Sequence, residues 1–142
     1  MLGDVEDLER LYAGPLGESP GGVTVGRFVR FLDTAGGRDV RNRATHTVLF
    51  RWPRWGVDFE RRLWWFVHPR AAAGRFRVTV GASRWRDAEV LRLDYDVSRV
   101  GWIRRNLYDE VKPLPDGRVI GIGGVNAERG RGDHFWFELR PR

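Results

Sequence analysis

Residues 107–124 read LYDEVKPLPDGRVIGIGG, and inside them Leu114-Pro115-Asp116-Gly117-Arg118 is the sharpest turn signal in the chain. Proline presets the φ that opens a turn, and Asp followed by Gly supplies the rest of the geometry at little steric cost. The segments on either side are read as one hairpin, 106–113 with 118–125. Elsewhere in the chain, short strand candidates recur at 23–32, 44–52, 61–68, 74–82, 88–96 and 133–140. The breaks between them are TAGGRD, RWPRWG, PRAAAG, SRWRD and AERGRG. Strands at this spacing, with turn residues between them, point to an antiparallel sandwich or barrel and not to βαβ units. Only residues 4–13 show helical spacing: Asp4 is a candidate N-cap, acids fill the first turn, and Leu8, Leu11 and Tyr12 form one stripe. Residues 97–105 are left open between a helix and an irregular crossover. The expectation is a mainly β chain with one domain over 1–142: helix at 1–13, loop at 14–22, and an antiparallel barrel of about eight strands over 23–142.

Composition narrows the class. At 142 residues, with 42% hydrophobic and 13% aromatic residues, the chain can bury a real core and is not disordered. With no cysteine there is neither a disulfide framework nor a thiolate metal site. No apolar run reaches the roughly 18 residues of a membrane helix, and MLGDVEDLER lacks the apolar stretch of a signal peptide. A cytoplasmic protein with no transmembrane segment is expected. The net charge of +6 first suggests nucleic acid. However, Lys112 is the only lysine, and the arginines fall on many outward strand positions with no recognition motif. Such a ratio fits a GC-rich genome and arginine stems covering apolar surface. Nucleic acid is therefore disfavoured as a partner, and a homodimer stays open.

Side chains alternate along a strand, so each candidate sorts into two faces. The apolar faces read Leu91, Leu93, Tyr95; Phe76, Val78, Val80; His46, Val48, Phe50, Trp52; Leu107, Asp109, Val111; and Phe135, Phe137, Leu139. In 23–32, Val25, Arg27, Val29 and Phe31 compete with a face holding Phe28 and Leu32. Strand 61–68 is apolar on both sides, as expected if one face meets the interior and the other the N-terminal helix. Four polar residues thus intrude on the interior: Arg27, His46, Tyr95 and Asp109. Buried charges need partners or a wet cavity. Either Arg27 and Asp109 form a structural ion pair, with His46 and Tyr95 satisfied in the core, or the four line a ligand pocket among aromatic walls. In the second case Arg27, His46, Phe50, Trp65, Phe76, Leu93, Phe135 and Phe137 are the candidate ligand-binding residues, and Asp109 and Tyr95 the candidate catalytic pair.

Other motifs add less. Most of the seven tryptophans are read as core or edge cover, with Trp65 as a pocket wall. RWPRWG (51–56) is read as a loop at a barrel mouth. GIGGVN (121–126) lacks dinucleotide-loop spacing, so its glycines are read as allowing close backbone approach, a bulge or room for a ligand. The three histidines have no metal-ligand spacing, and no metal or cofactor is expected. No nucleophile elbow surrounds Ser19, Ser83 or Ser98, so any catalysis would be acid–base, through Tyr95, Asp109, Glu110 or His46.

VRNRA (40–44), VLRLDYD (90–96) and LYDEVKPLPDGRVIGIGG (107–124) together give the chain a resemblance to calycin-type barrels, and more narrowly to lipocalin-like proteins of bacteria. That resemblance implies a barrel holding a small ligand. The lipocalin Gly-x-Trp signature is absent from VTVGRF (23–28). Binding of a small, largely apolar or aromatic molecule in an aromatic-lined pocket is the expected function. The alternative is a cofactor-independent cyclase, isomerase or lyase acting on a lipophilic substrate in the same pocket.

Overall fold

The computed structural model describes residues 5–32, 54–125 and 134–142. Helix α1 (Val5–Ala13) is followed by strands β1 (Thr24–Leu32), β2 (Trp55–Asp58), β3 (Leu63–Phe66), β4 (His68–Arg75), β5 (Arg77–Ala82) and β6 (Glu89–Asp94). A 3-10 turn (Tyr95–Val97) and helix α2 (Gly101–Asn106) then lead into β7 (Leu107–Pro113), β8 (Val119–Val125) and β9 (His134–Pro141). Every ladder is antiparallel. They form a six-stranded sheet, β1-β9-β8-β7-β6-β5, and a three-stranded sheet, β2-β3-β4. Among the described residues these ladders do not close into one barrel. The sheets meet at two corners. At one, the Val23–Asp58 bridge joins the entry to β1 with β2. At the other, Phe76 alone separates β4 from β5. No helix among the described residues is long and apolar enough to cross a membrane.

The Pro-Asp-Gly turn forms as expected. Gly117 N–H donates to the Leu114 carbonyl at 3.0 Å, and Gly117 adopts φ 90°, a left-handed conformation that side chains with a Cβ disfavour. Two expected breaks are strands instead. Trp55 and Gly56, taken from RWPRWG, begin β2, and PRAAAG lies within β4. β2 is buried along its whole length, so it lacks the polar alternation by which half-exposed strands are recognised. The candidate at 44–52 lies outside the described residues.

The core lies between the two sheets. Trp55, Val57 and Phe59 from the smaller sheet and its edge pack on Phe76, Leu91, Leu93, Val111, Phe135, Phe137 and Leu139. A second cluster fills the opposite face of the large sheet, where Leu8 and Tyr12 of α1 cover Val90, Ile120, Ile122 and Trp136. The helix thus packs on the large sheet and not, as expected, on strand 61–68. Coverage on both faces explains why Tyr108 through Leu114 are all buried. Val80, expected inside, is 61% exposed, because β5 is the outermost strand of its sheet and only Phe76 and Val78 reach the core.

Candidate functional site

Asp109 and Tyr95 are brought together. Asp109 sits in mid-β7 opposite Leu93 of β6 and Gly123 of β8. Tyr95 follows the end of β6, and its hydroxyl donates to Asp109 Oδ2 at 2.5 Å. Both are almost wholly buried, at 1% and 2% exposure. Burial pushes the Asp109 carboxyl up to about 7; the Tyr95 hydrogen bond pulls it down in part, and the charge of Glu110 adds to the rise. Burial, then the Asp109 charge, drives the Tyr95 phenol well above its ordinary range. Gly123 makes the room, since a Cβ there would stand 2.1 Å from Asp109 Oδ1 and 2.7 Å from the Phe135 ring. The GIGG stretch therefore serves close approach.

Four of the expected ligand-binding residues converge on this pair's side of the sheet: Phe76, Leu93, Phe135 and Phe137. They touch each other and their neighbours. Phe28 stacks on Trp55 at 4.7 Å and meets Phe135 edge-on at 5.0 Å. Trp55 meets Phe137 at 5.7 Å, and Phe76 meets Tyr95 at 5.9 Å. Two others go elsewhere. Arg27 points to the outer face and pairs with Glu138 at 3.0 Å, not with Asp109. A bulge between Phe28 and Arg30 shifts the phase of β1, so Phe28 and Phe31 both take register positions opposite the Phe137–Phe135 row. Trp65 is buried, but its indole N–H donates to the Thr24 carbonyl at 3.0 Å, tying the small sheet to β1. His46 and Phe50 lie outside the described residues. Among the described residues no three His, Asp or Glu side chains converge as metal ligands would.

The sequence reading missed a second polar cluster, on the outer face. The buried Glu110 carboxylate accepts from Tyr12 Oη at 2.6 Å, Tyr108 Oη at 2.8 Å, the Arg84 backbone N–H at 3.0 Å and the Ser83 hydroxyl. The Arg84 guanidinium lies 3.6 Å over the Tyr108 ring. The alternation Tyr108, Glu110, Lys112 reads as a solvated face unless the helix is known to cover it. Glu110 itself stands out as a candidate acid–base group, but nothing in the sequence gathers Tyr12, Ser83 and Tyr108 around it.

Beside this cluster opens a cleft of about 540 Å³, between α2 with its preceding turn and the near ends of β5 and β7. Arg77, Arg84, Arg104 and Arg105 line it together with Asp94 and Asp96, and the half-buried Leu107 with the edges of the buried Tyr95 and Tyr108 gives it a small apolar patch. A second cleft of about 370 Å³ shares Arg77 and adds Arg61, Arg62 and Arg75. Neither was expected, because these residues come from five separate segments. No family model, curated protein or solved structure matches this chain.

Proposed function

We propose that this chain binds a small molecule, and that the ligand sits in the cleft beside α2 with its aromatic or apolar part against Leu107 and the edges of Tyr95 and Tyr108. One observation carries this: a cleft of about 540 Å³ is open there, a size usual for small-molecule sites. The space between the sheets, where the sequence placed the ligand, is crowded by Phe28, Trp55, Phe135 and Phe137 in ring-to-ring contact. That contact supports a packed core. The strand order, with its two corner seams, supports reading the sheets as an opened barrel of calycin type.

Backbone amide shifts during titration with small aromatic compounds test the location. Changes are expected at residues 94–96, 101–108 and Arg84. Changes confined to the inward positions of β8 and β9 would put the ligand between the sheets and overturn the proposal.

A second reading is favoured by the Tyr95–Asp109 contact, whose carboxyl is pushed up to about 7 by burial. In it the chain is a cofactor-independent enzyme acting on a lipophilic substrate, with this pair moving or steering a proton. Asp109→Asn and Tyr95→Phe would then abolish turnover while the cleft still binds; full activity in both would remove the pair from any catalytic role.

A further inference from the structure

We propose that the ligand of the cleft beside α2 carries an oxyanion (phosphate, sulfonate or carboxylate) held by Arg84, Arg104 and Arg105. This rests on the cleft being the ligand site and adds the chemistry of what enters it.

The cleft contains four arginines and two acids, and the acids are not evenly shared. Asp96 Oδ2 is 2.6 Å from the Arg77 guanidinium, whereas Asp94 stands in register between Arg77 of β5 and Tyr108 of β7. Among the described residues, Arg84, Arg104 and Arg105 have no carboxylate within ion-pair distance of their guanidinium groups. The four guanidiniums of the cleft outnumber its two carboxylates, and a bound anion relieves the repulsion that remains.

Two of them are held in place before any ligand arrives. The Arg84 backbone is fixed by its N–H bond to the buried Glu110 carboxylate, and its guanidinium is stacked on Tyr108. Its Nε is buried without a hydrogen-bond partner among the described residues, as is that of Arg92, whose guanidinium lies 5.6 Å from the same ring. Arg104 Nη1 donates to the Ser98 carbonyl at 2.9 Å, which fixes its guanidinium at the edge of the cleft. A planar guanidinium with a fixed orientation suits two-point recognition of an oxyanion. Arg62 and Arg75, around the adjoining cleft across Arg77, add to the positive potential that draws an anion in.

Calorimetric titration of the full chain at low salt, with phenyl phosphate, inorganic phosphate and benzyl alcohol, tests this. Phenyl phosphate is expected to bind at least about tenfold more tightly than benzyl alcohol, the difference a charge-assisted contact provides. The exposed double variant Arg104→Glu/Arg105→Glu is expected to weaken phenyl phosphate by about tenfold or more and benzyl alcohol far less, with the lower unfolding midpoint that loss of the Arg104–Ser98 bond brings but a chain still folded at the titration temperature. Competition by inorganic phosphate would support a site for the free anion; preference for phenyl phosphate over it would support an anionic group on an aromatic body. Equal binding of phenyl phosphate and benzyl alcohol, indifferent to the charge reversal, would overturn the oxyanion and leave the cleft as the ligand site. Absence of saturable binding by all three probes would overturn both.

Discussion

Asp109 is a carboxylic acid in an apolar row, between Leu93 and Gly123, with one phenol to hold it. Its folded pKa of about 7 lies above the ordinary 3.8 of an exposed aspartate, so between those values the folded chain binds more protons than the unfolded one. Stability attributable to this group should therefore be fully present below about 3.8 and fall as the pH rises from there through about 7. Asp109→Asn should flatten that slope, which denaturant unfolding at a series of pH values would measure; an unchanged slope would mean that the carboxyl is not perturbed. Tyr95→Phe removes the bond that favours the charged form, so the decline should extend to higher pH, with a loss of roughly 1–3 kcal/mol above neutrality. Gly123→Ala should be worse than an ordinary strand substitution, because its Cβ meets both the Asp109 carboxylate and the Phe135 ring. That Asp109 and Tyr95 turn inward was legible from simple alternation. Their pairing with each other was not, because one extra residue in β1 reversed the phase on which Arg27 had been placed inside.

The long-range position of α1 is the least legible part of the fold. Its Leu8, Leu11 and Tyr12 stripe marks a buried face, yet nothing in nine residues says which sheet receives it. The answer lies in Glu110, where Tyr12 binds a carboxylate 98 positions away. Tyr12→Phe should cost roughly 1–3 kcal/mol, by leaving part of that buried carboxylate without a donor. It should also speed amide exchange in α1 more than in β7; equal effects in both would argue that the contact does not anchor the helix. The β3–β4 connection stores strain of its own, since Val67 is β-branched at φ 66° and exposed. Val67→Asn tolerates that conformation better and should raise stability by about 1 kcal/mol in thermal or denaturant unfolding. The hairpin at Gly117 was readable because its signal is local. β2 and β4 were not, because burial on both sides, or Pro and Ala in the strand, erases the pattern that alternation needs.

At the scale of the molecule, the large sheet is covered on both faces: the small sheet encloses the aromatic core on one, and α1 encloses the Glu110 cluster on the other. The arginine-lined cleft is left at one end, where α2 and its turn cross from β6 to β7. An aromatic interior was legible from Phe76 and from the Phe135–Phe137 face of β9. Its state of packing was not, because periodicity identifies inward residues without saying whether they meet. The division between a filled core and an outer ligand site can be measured most directly by unfolding the Phe137→Ala variant in denaturant. Phe137 contacts Trp55 and Phe135, and a filled core should lose about 3–5 kcal/mol when its ring is removed. A loss below about 1 kcal/mol, far less than truncating a packed aromatic costs, would mean that the ring borders open space, and the ligand would belong between the sheets after all.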